Sequence, residues 1–316
     1  MRPLRILIWH VHGSYLYYLT VRSPHQFFVP SKPERTGDYV GRWGHIPWGD
    51  NVHDIPAEKV RETQFDCIIY QTPGQYKDER WALLSAAQRS LPSIYIQHDP
   101  PWENPTEQAH WVDDPGVLLV HVTHFNQLMW DSRRTPTRVI EHGVLVPETA
   151  KYTGALPKGL VVINHLSRRG RRLGGDIYER VRQEVPLDLV GMAAEEMPGG
   201  LNEVLHAGLP AFEADYRFFF NPIRYTSLGL AVIEAMMIGL PIIGLATTEM
   251  AVAIPNGIAG WVDTRVDTLI ARMKELIADA DEARQLGEGA RKLALERFNI
   301  DRFTSDWNDA FRQITT

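Results

Sequence analysis

The chain has 316 residues, enough for two ordinary domains, and its 44% hydrophobic and 23% charged residues are typical of a soluble globular protein. Its formal net charge of −6 argues against nonspecific nucleic-acid binding, which needs a basic surface. The single cysteine, Cys67, excludes an intramolecular disulfide and a cysteine-based zinc cluster, and its apolar neighbours indicate a buried structural thiol.

The first half of the chain alternates short apolar runs with polar or helical segments, which is the pattern of a parallel sheet with crossover helices. No apolar run is long enough to span a bilayer, and the apolar part of the N-terminus is too short for a signal peptide, so we expect a cytoplasmic protein with at most peripheral membrane contact. Helices are predicted at 81–89 and 125–133. The predicted strands are residues 5–9, 66–70, 93–97, 117–122 and 138–140.

Between residues 144 and 158 the hydrophobic period is lost, and prolines and a glycine interrupt the chain. A second alternating series follows. The sequence therefore predicts an N-terminal α/β domain at 1–146, a linker at 147–158, a second α/β domain at 159–298 and a C-terminal helix at 299–316. The second domain has predicted strands at 160–163, 187–190, 216–220, 241–243 and 260–262, and predicted helices at 175–184, 201–207, after 228, at 268–280 and at 283–298.

The terminal helix carries an apolar stripe of aromatic residues. Phe303, Trp307 and Phe311 are spaced four apart, so they share one helix face. We expect that face to dock onto another surface.

The most informative stretch is residues 224–244. Gly229 stands where a helix begins, so free backbone N–H groups and the helix dipole favour an anion such as phosphate there. Glu234 is the one carboxylate on an otherwise apolar helix, and a buried charge needs a partner, which ribose hydroxyls would supply. A Gly-Leu-Pro stop at 239–241 then ends the helix before an apolar strand.

This stretch resembles GT-B glycosyltransferases, specifically the retaining nucleotide-sugar transferases of bacterial polysaccharide synthesis. The resemblance implies two Rossmann-like domains with an interdomain cleft, and a last helix that crosses back to the N-terminal domain. Thr226 departs from the pattern, because the family has the first glutamate of a Glu…Glu pair there. The matching segments are Leu228-Gly-Leu230, Glu234-Ala-Met236, Gly239-Leu-Pro241 and Ile242-Ile-Gly244.

A basic run at 168–172 follows the first strand of the second domain. It is either a solvated loop or a diphosphate site, which guanidinium groups suit. The resemblance favours the diphosphate site, held by Arg169 first and then by Arg168 and Arg171. It also implies a ribose contact for Glu234. The remaining donor-binding candidates are Gly13 by the diphosphate, Gly191 by the base, Glu249 as a displaced sugar contact, and the turn of Thr226, Ser227, Leu228, Gly229 and Leu230.

His98 ends a predicted strand beside Asp99. A lone histidine is more often structural, but a histidine at the carboxyl end of a parallel strand is a better site candidate. The resemblance places a His-Asp pair near the donor sugar and the acceptor. His98 and Glu234 are therefore the catalytic candidates.

Residues 22–54 are rich in aromatic residues, histidine and glycine. They are either an acceptor-binding segment, in which rings stack on sugar faces, or a long self-packed surface loop, and the sequence leaves both open. His12, Trp43 and His45 are the acceptor-binding candidates. His10 and His12 are two residues apart, so on a strand they would share one face, as metal ligands can. No acid or cysteine lies at ligand spacing from them, so we predict no metal.

The preferred interpretation is a metal-independent enzyme that moves a sugar from a nucleoside-diphosphate sugar to a glycan, lipid-linked or small-molecule acceptor, with no cofactor besides the donor. Retention of configuration is implied by the resemblance alone. The rivals are a non-catalytic nucleotide-sugar-binding protein and a GT-B epimerase or phosphorylase. Thr226 implies an unusual donor, a sugar contact moved to Glu249, or lost catalysis.

Overall fold

The computed structural model describes residues 2–315, which form two compact units. The first unit runs to Gly143 and resumes at Ile300, and the second spans Val144–Asn299. Within the described residues, no helix is both long enough and apolar enough to cross a bilayer.

The first unit is built on a parallel sheet of seven strands. β4, β5 and β6 are buried along their whole length, since their nearly continuous apolar sequences allow both sheet faces to be covered. In chain order the strands are β1 Arg5–Ile8, β2 Gln26–Ser31, β3 Val52–Pro56, β4 Cys67–Tyr70, β5 Ser93–Gln97, β6 Val117–His121 and β7 Thr137–Val139, and in space they run β3-β2-β1-β4-β5-β6-β7. The helices are α1 Gly13–Val21, α2 Arg80–Leu83, α3 Ala86–Arg89 and α4 His124–Met129.

Of the two alternatives for residues 22–54, the long self-packed loop is wrong, because β2 and β3 lie within this range. Pro30 within β2 hides the strand pattern, although Phe27 and Val29 alternate inward as a strand requires. The predicted helix at 81–89 is also two pieces. Ser85 starts α3 with a capping box, in which its hydroxyl accepts from the backbone N–H of Gln88 and the Gln88 side chain accepts in return.

The second unit has a parallel sheet of five strands, so the predicted fold class of two Rossmann-like α/β domains is confirmed. The strands are β8 Leu156–Val162, β9 Leu187–Val190, β10 Tyr216–Asn221, β11 Ile242–Leu245 and β12 Gly260–Asp263, in the spatial order β12-β11-β10-β8-β9. The helices are α5 Gly170–Leu173, α6 Gly175–Val181, α7 Leu209–Glu213, α8 Leu230–Ile238, α9 Met250–Ala253, α10 Val266–Ala278 and α11 Ala280–Arg297.

One predicted helix of the second unit is wrong. Residues 201–207 are irregular, and the helix in this region is α7, which begins at Leu209. Pro210 lies in the first turn of α7, where a missing N–H costs no intrahelical hydrogen bond. Proline therefore sets the start of this helix.

The last helix, α12 Ile300–Thr315, belongs to the first unit. Its aromatic stripe is buried there. The ring of Phe303 lies 5.8 Å from that of Tyr15 in α1, and the ring of Phe311 lies 5.1 Å from that of His25. The Arg302 guanidinium donates to the backbone carbonyl of Glu141 at 2.9 Å, which ties α12 to the end of the seven-stranded unit.

Candidate functional site

In the second unit, α8 begins directly after an extended glycine. Gly229 is the N-cap residue, and a glycine has no side chain with which to cap the helix. The first N–H groups of a helix have no acceptor within it, so this end suits an anion. At the other end, Gly239 adopts a φ of +105° and its N–H and that of Leu240 return to the last turn, which ends the helix before β11.

The loop after β8, which carries the basic run, is tied to the segment that leads into α8. Arg224 makes these ties. Its backbone N–H donates to the carbonyl of Arg172 at 2.9 Å, and its side chain donates to the carbonyl of Arg171 at 2.6 Å. Arg224 also pairs with Asp176 at 2.6 Å. The structure therefore brings the predicted diphosphate residues and the start of α8 to one edge of the five-stranded sheet.

The three predicted diphosphate arginines differ in their partners. Arg168 pairs with Glu196, and Arg171 pairs with Asp176 at 2.7 Å. Arg169 is exposed and makes no ion pair with a carboxylate of the described chain. Arg169 therefore keeps its charge available for an incoming anion, whereas a ligand of Arg168 or Arg171 must compete with an acid.

Glu234 lies in the second turn of α8 and is only 8% exposed. A second acid, Glu213 at the end of α7, is fully buried, and neither of its carboxyl oxygens has a hydrogen-bond partner within residues 2–315. Burial, and next the negative charge of Glu234, raise the pKa of Glu213 well above its ordinary value. Two acids thus lie close enough to interact, and the fold favours the protonated form of Glu213.

Replacing Glu213 with glutamine is expected to stabilise the protein in a pH-dependent way. The folded-state pKa of Glu213 is raised, so the wild type loses stability as the pH rises above the ordinary glutamate pKa toward the folded-state value. The E213Q variant has no such loss. Its advantage in free energy of unfolding should be small at pH 4 and clearly larger at pH 8. Urea unfolding at both pH values measures this, with E179Q, at an exposed glutamate of α6, as the control. A pH-independent difference would contradict it.

The other candidates of the second unit are placed as follows. Gly191, after β9, has a φ of +132°, and a Cβ there would lie 2.7 Å from the carbonyl oxygen of Ile163, so only glycine fits. Glu249 is 3% exposed and its carboxylate lies 3.1 Å from the Arg297 guanidinium, so this acid is held within the unit. Thr226 is partly exposed, and Ser227 and Leu228 are buried in the turn before α8.

In the first unit, His98 lies among other rings after β5. Its ring centroid is 4.5 Å from that of His12 and 4.7 Å from that of Tyr15, and Tyr15 is 5.6 Å from His142. Burial, followed by the neighbouring His12 and His142, holds the pKa of His98 well below its ordinary value. His98 is therefore a neutral imidazole at neutral pH.

Gln71, which follows β4, determines which nitrogen of His98 carries the proton. The Gln71 Nε2 donates to the backbone carbonyl of Trp9 at 2.6 Å, so its Oε1 must face the other way. That oxygen lies 2.8 Å from Nε2 of His98. Since an amide oxygen only accepts, Nε2 of His98 carries the hydrogen and Nδ1 keeps its lone pair. His98 is thus prepared to accept a hydrogen bond from a hydroxyl group.

Further contacts hold Gln71 itself. Its backbone N–H donates to Oε1 of Gln75 at 2.9 Å, and Nε2 of Gln75 donates to Asp38 at 2.7 Å. Gln71 is not among the site residues that the sequence predicts. Gln71 directly follows a buried strand, in the segment Gln71-Thr-Pro-Gly74, and this position could have marked it as a site candidate.

The other candidates of the first unit are not all brought together. Gly13 begins α1, and a Cβ there would lie 2.4 Å from Cδ1 of Ile46, so the connection between β2 and β3 packs against this turn. Trp43 and His45 lie on the same connection but are exposed. His12 lies beside His98. Within residues 2–315, no three His, Cys, Asp or Glu side chains are placed to hold a metal ion.

A family model described as glycosyl transferases, group 1, matches residues 207–293, which include α8 and Glu234. No curated protein sequence matches the chain. Several solved structures are similar over nearly the whole chain at low identity.

Sucrose-phosphate synthase from Thermosynechococcus elongatus is 15% identical with a TM-score of 0.69, over 98% of this chain and 99% of that one. A glycosyltransferase from Rickettsia africae is 13% identical with a TM-score of 0.69, over 99% of both chains. Anabaena HepE, solved in complex with UDP and glucose, is 13% identical with a TM-score of 0.70, over 98% of this chain and all of that one. Identities this low establish the fold alone. The predicted resemblance to GT-B glycosyltransferases is confirmed.

Proposed function

We propose that this chain, which has the GT-B fold and carries the group 1 glycosyl transferase segment, transfers a sugar from a nucleoside diphosphate to a hydroxyl group of an acceptor. The observation that carries the proposal is the edge of the second unit where α8 begins. There a helix start with a glycine N-cap, a buried glutamate and an arginine without an acidic partner lie on segments that the contacts of Arg224 tie together.

The second unit supplies the donor-binding residues in this proposal. The Gly229–Leu230 helix start and Arg169 bind the diphosphate, and Glu234 accepts hydrogen bonds from the ribose hydroxyls. Gly191 leaves the backbone open beside the base. HepE was solved with UDP bound, and the diphosphate and ribose of UDP are groups that such a site would bind. This supports a nucleotide-sugar donor.

The first unit supplies His98 in this proposal. The bond between C1 of the sugar and the diphosphate breaks, and its electron pair leaves with the diphosphate. The acceptor oxygen bonds to C1, and its proton passes to an oxygen of the departing diphosphate. Positive charge that develops on the sugar needs nearby dipoles and hydrogen bonds. The neutral ring of His98, with its lone pair on Nδ1, accepts a hydrogen bond from a hydroxyl of the reacting sugars and so orients them.

Diphosphate release tests the transfer reaction directly. The protein is incubated with UDP-, GDP-, ADP- and dTDP-sugars, with and without a panel of neutral, phosphorylated and lipid-linked acceptors. A transferase releases nucleoside diphosphate fast only when an acceptor is present, and proton NMR of the product gives the anomeric configuration, for which we propose retention. Binding of diphosphates without turnover on any acceptor would favour the non-catalytic alternative.

Replacing Gln71 with methionine is expected to lower kcat about 10-fold or more without changing the KM for the donor. Methionine has a similar volume but accepts no hydrogen from His98, so the ring loses its fixed tautomer and orientation. Loss of an outer partner that orients a histidine in metal sites costs roughly 10- to 100-fold.

A second variant separates orientation from packing. Q71E keeps an acceptor near Nε2 but adds negative charge, which favours protonated His98, so the acid limb of the pH–rate profile should move to higher pH. If Q71M retained full kcat, or if the Q71E profile coincided with that of the wild type, Gln71 would have no such role.

A further inference from the structure

A pocket of about 330 Å³ opens beside His98, and residues of the first unit form all of it. Its walls are mainly aromatic. Tyr95 of β5 lies 5.8 Å from Trp111 between ring centroids, and Trp111 lies 5.1 Å from Trp130 at nearly a right angle. Trp102, 52% exposed, stands on the solvent side. The volume is at the small end of ligand sites, roughly 300–1,000 Å³, and fits one sugar ring.

The long connection between β5 and β6 that forms much of this pocket is held in place by buried hydrogen bonds. Nε2 of His110 lies 3.0 Å from Oε1 of Gln97, and the other ring nitrogen accepts from the backbone N–H of Val112 at 3.0 Å. The indole N–H of Trp130 donates to the carbonyl of Asp99 at 2.9 Å. The pocket is therefore formed before any ligand arrives, so binding does not require the loop to be ordered.

The charges that line the pocket have one sign. Asp99 and Glu103 are the acidic residues that line the pocket, and no lysine or arginine is present among its described lining residues. Lys77 is close enough to act on the buried His110 but does not line the pocket. The other polar lining residues include the amides of Gln71 and Gln108, a threonine, and the imidazoles of His12 and His98. A phosphate group placed here would lose its hydration and gain no lysine or arginine partner, which is unfavourable.

We propose that this pocket binds the acceptor, and that the acceptor is an uncharged sugar ring. Indole faces pack against the C–H face of a pyranose, and carboxylates and amides bind its hydroxyl groups through hydrogen bonds that are strong when one partner is charged. Of the three predicted acceptor residues, His12 lines this pocket, whereas Trp43 and His45 do not. That the bound sugar is the acceptor rests on the proposed function. That the pocket prefers a neutral sugar to its phosphate is independent of the proposed function.

The test measures binding to the full chain without donor. Methyl α-glucoside, methyl α-galactoside and methyl α-mannoside are titrated beside glucose, galactose and mannose 6-phosphates, by saturation-transfer NMR. We expect at least one methyl hexoside to bind, and each hexose phosphate to bind at least 10-fold more weakly than that hexoside. W102A should weaken hexoside binding about 10-fold or more. The matched control is W81A, because Trp81 is similarly exposed at 59% but lies on α2, outside the pocket.

A charge substitution tests the preference for neutral sugars from the other direction, by adding a cation. E103K places a cation at the exposed side of the pocket, so the preference for neutral hexosides over hexose phosphates should shrink by about 10-fold. The proposal is overturned if wild-type protein binds phosphates as well as hexosides, if no hexoside binds, or if W102A and W81A behave alike. Nucleoside diphosphate titration is run on the same samples. If a nucleoside diphosphate binds but no hexoside does, the inference about this pocket is wrong and the proposed function still stands.

Discussion

Replacing Glu234 with alanine is expected to weaken nucleoside diphosphate binding roughly 10- to 100-fold. The carboxylate is 8% exposed in the second turn of α8, where ribose hydroxyls can donate to it. A hydrogen bond to a charged group contributes about 1.5–3 kcal/mol, and 1.4 kcal/mol is a tenfold change in affinity. Calorimetric titration with UDP, GDP, ADP and dTDP measures the loss for whichever of them the wild type binds.

Two further variants show whether the loss of affinity comes from the Glu234 carboxylate. E234Q keeps an oxygen acceptor without the charge, so its affinity should fall between those of the wild type and E234A. E288A removes an exposed glutamate on α11 and should bind as the wild type does. Thermal unfolding of each unliganded variant shows whether the fold is kept. Unchanged diphosphate affinity in a folded E234A protein would remove Glu234 from the donor site.

Replacing His98 with alanine is expected to lower kcat about 100-fold or more and to leave nucleoside diphosphate affinity unchanged. The reason is that different residues bind the sugars and the diphosphate in the proposed reaction. His98 orients hydroxyl groups of the reacting sugars, whereas Arg169 and the start of α8 hold the diphosphate. Groups that accept or position protons in a transition state typically contribute 10²- to 10⁴-fold. Steady-state kinetics and diphosphate titration of the same preparation separate the two effects.

The control for this experiment is His124, which is exposed at the start of α4. H124A should keep wild-type kcat. H98N offers a second comparison, since an amide can occupy part of the ring position and should retain more activity than alanine. An H98A enzyme with wild-type kcat, or one that loses diphosphate affinity as much as kcat, would contradict the role assigned to His98.

Much of the second unit was predictable because its signals are local. The glycine before α8, the apolar run that follows and the Gly-Leu-Pro stop lie within a few residues of one another, and they specify the same backbone shape wherever they occur. The apolar runs of β4, β5 and β6 likewise identify strands covered on both faces. The errors fell where such local signals were mixed, as at Pro30 in β2 and Pro210 in α7.

The two α/β units, the turn and helix around Glu234, and the histidine at the end of β5 all follow from the sequence alone. The pairing and orientation of these groups depend on the folded chain. Gln71 orients His98 from 27 residues away, and Glu196 engages Arg168 from 28 residues away while Arg169 is left for an anion. The physical reason is that backbone shape follows from neighbouring residues, whereas tautomer, pairing and burial depend on atoms that only the fold brings into contact.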